Sequence, residues 1–263
     1  MKDVLITGAF GGMGLAVTQM LESRGFRVFA VDRQVKETNG NIIPITADIT
    51  SEESVQAAVA TVRRYTDKLF AIIHFAGVYM LDSLVEIDDE SFQRIFDVNV
   101  RGAYLVNKTF LPMLEKDSRI LMTTSELAPL DPLPFTGIYA VTKAALDKYA
   151  FSLRMELQLL GIHVSVLRAG AVQTEMLGVS TSALDRFCAN TKLFACNAER
   201  FKRIVNRVEA RNISPQKIAR KVEKLLKKPN PGFAYSINRN PLLLLLNGLP
   251  KRLQCRVIKM VLR

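Results

Sequence analysis

Tyr139-Ala140-Val141-Thr142-Lys143 sets a phenol and an ammonium four residues apart, which puts both on one face of a helix. A free tyrosine titrates at about 10 and is a poor base at neutral pH. A cation beside it favours the phenolate and brings the group within reach of general acid–base work. The same pair recurs by chance on many helices, so its meaning depends on the rest of the chain. His74, one of two histidines, reads as a hydrogen-bonded structural residue rather than a catalyst.

A second chemical feature lies near the N-terminus. Thr7-Gly8-Ala9-Phe10-Gly11-Gly12-Met13-Gly14 falls between the first expected strand and the first expected helix. Glycines there permit a tight turn and let the backbone approach a pyrophosphate, which a helix N-terminus favours electrostatically. Thr7, Gly8, Gly12, Met13 and Gly14 are the candidate contacts. Asp32 ends the second strand, 18 residues after Gly14. A carboxylate there accepts both ribose hydroxyls of an adenosine and repels a 2′-phosphate. Arg33, next in the chain, is the alternative, a partner for that phosphate. The reading favours NAD over NADP. Asp48 and Ile49 close the third strand, where side chains flank an adenine. Ala76 and Gly77 follow the fourth, where small residues let a cofactor lie against the backbone.

Positioning these groups requires alternating strands and helices. Strands are expected at Val4–Ile6, Arg27–Val31, Asn41–Ile45, Leu69–Phe75, Arg119–Thr123 and His163–Leu167. Helices are expected from the glycine loop to Ser23, from Ser51 to Tyr65, from Asp89 to Leu114 and from Gly137 to Leu160, with Ser51 as an N-cap. This rhythm implies parallel β-α-β units, right-handed crossovers and helices on both faces. The fold class is therefore α/β, a doubly wound Rossmann-type parallel sheet in one domain spanning about 1–240. Residues 175–212 carry no strand signal and are expected to cover one end of the sheet as helices. Ser214-Pro215 opens another helix, and Gly232–Ile237 is a last strand candidate.

Composition narrows the class further. With 263 residues, 49% hydrophobic and 23% charged, the chain has enough apolar surface to fold. Three cysteines match no metal-ligand spacing and no disulfide framework, so no metal is expected and a reducing compartment is. The uncharged run Val4–Leu21 holds four glycines and is followed by no small-residue cleavage site, which argues against a signal peptide or a span. A cytoplasmic location is the expectation. The net charge of +11 is unevenly placed: residues 200–263 carry 17 basic side chains against Glu209 and Glu223. Whole-protein nucleic-acid binding is not supported; a local basic surface is.

Taken in order, T-G-x(3)-G-x-G, Ala76-Gly77, Asn99, Ser125 and Y-x(3)-K resemble the short-chain dehydrogenase/reductase family over roughly residues 2–240. The resemblance implies a nicotinamide cofactor and reversible hydride transfer between an alcohol and a carbonyl. It makes Tyr139 the proton donor or acceptor at the substrate oxygen, and Lys143 the group that lowers its pKa and holds the nicotinamide ribose. Ser125 would hydrogen-bond the same oxygen, with Thr123 and Thr124 as alternatives, and Asn99 would hold a relay water beside Lys143. Arg168–Thr174 is similar to the family's P-G-x-V-x-T stretch, which implies cofactor contacts from Val172 and Thr174, although Ala169 replaces the proline. Ser125 precedes Tyr139 by 14 residues rather than 13, a difference that a loop with Pro129, Pro132 and Pro134 can absorb.

Residues 126–136 and 175–212 would select the substrate. Leu127, Leu130, Leu133, Phe135, Met176, Leu177, Leu184, Phe187, Leu193 and Phe194 suit a large apolar alcohol or ketone, such as a steroid, retinoid or lipid-like chain, or else pack the lid itself. The alternatives are a 3-oxoacyl reductase meeting an acidic carrier and a nucleotide-binding sensor or scaffold without turnover. The resemblance also implies a homodimer or homotetramer built on the helices around 89–115 and 137–160. In the extension 241–263, a helical wheel gathers Arg252, Arg256, Lys259 and Arg263 on one face and Leu253, Val257, Met260 and Val261 on the opposite one. Such a helix would rest on a membrane surface, or cover the pocket or a subunit interface.

Overall fold

The computed structural model describes residues 1–209 and 211–263, with the side chains of 175–180 and 207–209 outside the description. Met176 and Leu177 of the substrate reading fall among those left out. Seven parallel strands form one sheet in the order β3-β2-β1-β4-β5-β6-β7. They are β1 (Lys2–Thr7), β2 (Phe26–Asp32), β3 (Ile42–Thr46), β4 (Leu69–His74), β5 (Leu114–Ser125), β6 (His163–Ala169) and β7 (Ala234–Ile237). The helices are α1 (Gly12–Glu22), α2 (Glu52–Arg63), α3 (Asp89–Phe96), α4 (Gly102–Phe110) and α5 (Gly137–Leu157), then α6 (Glu175–Asn190), α7 (Ala195–Glu209), α8 (Pro215–Leu226), α9 (Pro241–Asn247) and α10 (Lys251–Leu262).

The strands bury both faces, and successive side chains divide between them. Val4, Ile6, Val28 and Ala30 pack with Val17 and Leu21 of α1 and Ile218 and Val222 of α8. Their neighbours Leu5 and Phe29 pack on the other side with Val55 and Val62 of α2 and Val106 and Phe110 of α4. Under α5, Ile120, Met122, Val164 and Val166 meet Leu146 and Ala150. Chain order reverses between β1 and β4, which opens a crevice at their C-terminal ends. Both the glycine loop and Ala76-Gly77 lie there.

Two expected elements differ from those observed. The helix expected over Asp89–Leu114 is divided by a π-turn at Asp97–Arg101 and ends in a 3₁₀ turn at Leu111–Met113. The extra residue in the π-turn turns Asn99 into the interior, where it is 1% exposed, and brings Gly102 against Ile49. β5 begins at Leu114 rather than Arg119, because Leu114 already pairs with Leu69 before the register shifts.

The C-terminal wheel is also corrected. α10 buries Gln254 and Leu262 and packs Ile258 against the core of the lid, leaving Leu253, Met260 and Val261 exposed. Asp131 sets this rotation by binding Lys251 and Gln254 from the same loop, and Asn197 donates to the Leu262 carbonyl at 2.7 Å.

Candidate active site

The glycine loop is shaped by clearance. Gly8 has a left-handed φ of 67°, and a Cβ there would stand 2.5 Å from the Ala76 nitrogen. A Cβ on Gly14 would stand 2.0 Å from the Gly8 oxygen, and one on Gly12 would stand 2.6 Å from the Thr174 Cβ. Glycine is the residue that fits each approach. The loop therefore lies against both the Ala76-Gly77 turn and the start of α6. Thr7 is fully buried beneath it, and its hydroxyl has no partner among the described residues. Val172 is buried and bridges Ile213.

This loop opens one end of a cleft of about 1080 Å³ that passes Asp32, Arg33, Asp48, Ile49, Ala76 and Gly77 and ends at Thr174 and the lid. Asp32 accepts the Phe10 amide at 3.0 Å and the Arg33 amide at 2.8 Å, which ties β2 to the glycine loop and aims the carboxylate at the cleft. A carboxylate offers about four acceptor positions, so capacity remains for ribose hydroxyls. Asp48 accepts the Thr50 amide and hydroxyl. These bonds, led by the amide and helped by Arg33, hold its carboxyl below the usual range.

Behind Gly77 and Tyr79 of this cleft, β5 and α5 bring the reactive side chains together. Tyr139 is hydrogen-bonded to Ser125, and the Lys143 ammonium lies 5.7 Å from the Tyr139 ring centre. The alternatives to Ser125 are otherwise placed: Thr124 donates to Asp147, and the Thr123 hydroxyl is buried without a partner among the described residues. Lys143 is 6% exposed, donates to the Thr123 carbonyl at 3.3 Å, and pairs with no carboxylate among the described residues. Burial lowers its pKa to about 8. Asn99 spends its side chain on a brace: Oδ1 accepts the Val78 amide, and Nδ2 donates to the Val78 carbonyl and to Thr142.

In the protein alone the Tyr139 pKa is raised rather than lowered. Burial raises it, Tyr79 raises it further, and the Ser125 hydrogen bond opposes both. Desolvation of the phenolate is the largest of these causes. Tyr79 was not singled out from the sequence. Its ring lies 4.8 Å from that of Tyr139, and it lines the cleft. An isolated Tyr after a glycine turn carries no periodic signal that would have marked it. His74 is buried, hydrogen-bonded to Asn107 at 2.8 Å and lowered by burial to about 4, so it is neutral and structural.

The residues present fit a nicotinamide dinucleotide. The glycines form a cradle that any Cβ would fill, and Lys143 is a buried amine with one backbone acceptor and no carboxylate partner among the described residues. A family model described as short chain dehydrogenase matches residues 2–185. The chain belongs to the short-chain dehydrogenase/reductase family.

Among relatives of the chain is an NADPH-dependent 1-acyldihydroxyacetone phosphate reductase of Schizosaccharomyces pombe. The two are 33% identical over 192 residues, 69% of this chain and 65% of that one. An estradiol 17-beta-dehydrogenase 2 of Mus musculus is 32% identical over 189 residues, 67% of this chain and 50% of that one. The match thus spans about half to two thirds of these relatives' lengths. The fold is also that of a 3-ketoacyl-(acyl-carrier-protein) reductase from Brucella melitensis complexed with NADH, with a TM-score of 0.73, 24% identity, and 90% of this chain and 96% of that one covered.

On the side of the cleft expected to take substrate, the expected apolar lining is largely used to build the lid. Phe135 stacks with Phe187, Phe194 and Phe201 at 4.6, 5.3 and 5.4 Å, and Leu184 is fully buried beside them. Phe135 is held at a φ of 67°, a left-handed conformation that a bulky residue adopts only when its surroundings fix it. The lid presents Ala183, Arg186, Phe187, Asn190 and Thr191 to the cleft. Glu86 clasps the turn between α6 and α7 through the Thr191 hydroxyl and the amides of Lys192 and Leu193.

Proposed function

We propose that the protein interconverts an alcohol and its carbonyl on a lipid-like or steroid-like substrate, with NAD preferred to NADP. The observation that carries this reading is the meeting of Tyr139, Ser125 and a buried Lys143 that pairs with no carboxylate among the described residues, directly behind Gly77 and Tyr79 of the glycine-cradled cleft. A sensor or scaffold has no need of that trio. The relatives named for an acylated dihydroxyacetone phosphate and for estradiol support the apolar substrate. So does a cleft wall holding Tyr79, Met80, Leu81 and Phe187, while Arg186 and Asn190 offer donors to a polar head.

A bound nicotinamide dinucleotide supplies or takes the hydride. In carbonyl reduction, Tyr139 gives its proton to the substrate oxygen; in alcohol oxidation it takes that proton back. The raised pKa keeps Tyr139 protonated in the protein alone, the form that reduction requires. Ser125 donates a hydrogen bond to the same oxygen and orients it toward the phenol. Lys143 is positioned to hold ribose hydroxyls and, once so partnered, to stabilise the phenolate. Thr7, Gly8, Gly12, Met13 and Gly14 would hold the pyrophosphate end, Asp32 the adenosine ribose, Asp48 and Ile49 the adenine, and Ala76, Gly77, Val172 and Thr174 the nicotinamide end. Asn99 braces the Val78 segment beside Lys143, where a relay water would sit.

Self-association belongs to the same reading. Tyr104 on α4 and Val141, Phe151 and Met155 on α5 are exposed apolar side chains on the two helices expected to pair subunits. The deciding experiment is a panel of apolar alcohols and ketones, followed by nicotinamide absorbance with NAD and NADP in parallel. Turnover with NAD on members of the panel is expected. Turnover confined to small polar sugars would contradict the substrate class, and tighter NADP binding would contradict the cofactor preference.

A further inference from the structure

The C-terminal extension takes no part in the chemistry above, and two of its features remain without a purpose inside the molecule. The first is apolar. α9 contains five consecutive leucines, Leu242 to Leu246, and buries none of them; Leu242 is 65% exposed and Leu245 71%. α10 turns Gln254, Ile258 and Leu262 toward the lid and leaves Leu253, Met260 and Val261 exposed, Met260 at 74%. The second is charge. Residues 224–263 contain no Asp or Glu. Asp131 neutralises Lys251, but Arg252, Arg256, Lys259 and Arg263 are exposed and form no ion pair among the described residues. Arg256, Lys259 and Arg263 gather around Met260 in one surface depression.

We propose that α9 and α10 dock the protein on an anionic lipid surface, with Leu242, Leu245, Leu253 and Met260 entering the headgroup boundary and the four free cations meeting lipid phosphates and carboxylates. Charge complementarity selects this occupant. A second copy would bring two like-charged stripes together and gain nothing from them. A nucleic acid would satisfy the cations but leave the leucines in water. An anionic bilayer accepts both, since interfacial helices combine an apolar face with Lys and Arg. No described helix is long and apolar enough to cross a membrane, so the contact is peripheral. The fold holds this surface firmly enough to present it. Glu126, next to Ser125, accepts the Asn240 amide at 2.5 Å, and the Asp131 amide donates to Asn247 at 2.9 Å. The proposal is independent of the substrate reading.

The chain contains no Trp, so one introduced indole reports its own surroundings. The experiment uses the full chain with phosphatidylcholine vesicles, with and without phosphatidylserine, at low and high salt. Met260→Trp and Leu242→Trp are expected to shift to the blue on the anionic vesicles, while Tyr65→Trp, in the exposed turn after α2, stays unchanged. Exchanging Arg252, Arg256, Lys259 and Arg263 together for Gln should weaken vesicle binding more than about a hundredfold, on the order of fivefold per cation. NAD binding by that variant should stay at the level of the unmodified protein and show that it is folded. Failure to bind anionic vesicles at low salt overturns the proposal. So does binding without a blue shift at either indole, which would mean charge alone. Loss of self-association in the Gln variant, without any vesicle binding in the parent, would assign the surface to a second copy.

Discussion

On the cofactor side of the cleft, Gly8, Gly12 and Gly14 meet neighbouring atoms closer than any Cβ could stand. On the substrate side, Phe135 meets three other phenylalanine rings. The first region is fixed by backbone clearance, where one residue type works at each position. The second is fixed by side-chain contacts, Phe135 on the lid, Glu86 on its turn and Asp131 on α10, each of which other residues could replace. A site built this way keeps one cofactor geometry while its substrate wall is free to change. The contrast also bears on regulation of the proton. Ser125, Tyr139 and Lys143 stand on β5 and α5, rigid elements, whereas Tyr79 comes from the irregular segment between β4 and α3.

The contrast is broken most severely at Gly14. Gly14→Ala would press a methyl against the Gly8 carbonyl, and a loss of at least about 3 kcal/mol in denaturant unfolding is expected, together with NAD binding. A fully stable variant would show that the loop has slack. Next comes the sheet itself. His74 is held neutral at about 4 in the folded chain, against an ordinary value near 6.5. Between these values the unfolded chain takes up a proton that the folded one does not, so stability is lost as the pH falls through that window, by about 3 kcal/mol in all. His74→Asn should flatten that slope in unfolding measured from pH 7 to pH 4. Asp32→Ala should weaken NAD binding by about 2–3 kcal/mol, the worth of two charge-assisted hydrogen bonds, and narrow or invert its lead over NADP. Titration with both nucleotides reads this directly. The smallest effect belongs to the replaceable contacts. Asp131→Asn should cost no more than about 1 kcal/mol in thermal unfolding, because its partner Lys251 is largely exposed.

The same division explains what the sequence made legible. Short unbroken apolar runs in β1 and β2 and the helical spacing of α1 and α2 marked the sheet, because a strand buried on both faces needs apolar residues at successive positions. The glycine loop and the Tyr139–Lys143 spacing were readable because each is local in the chain. Interruption of the helix by the π-turn was not, since nothing local to Asp97–Arg101 marks an extra residue in the turn. The turn is set by Asn99 reaching Val78 and Thr142. Rotation of α10 was hidden for a like reason: the wheel gives its apolar side, but Asp131, some 120 residues away, decides which stripe is buried. The lowered phenol pKa expected from Lys143 is absent from the protein alone, because spacing reports proximity and says nothing of the water that folding removes. Ser125 was already favoured over Thr123 and Thr124 by its place in the motif order, and in the structure it bonds Tyr139 while Thr124 bonds Asp147.

The central claim is that Tyr139 exchanges the proton while the rest of the site holds the reactants. The most direct measurement is steady-state turnover by Tyr139→Phe on the best alcohol–ketone pair, with NAD binding measured on the same sample. The variant keeps the ring against Tyr79 and removes one oxygen. The account predicts a fall in kcat of at least about 100-fold, the worth of a positioned acid–base group, with NAD affinity nearly unchanged. Retention of most of the turnover with NAD still bound would contradict it.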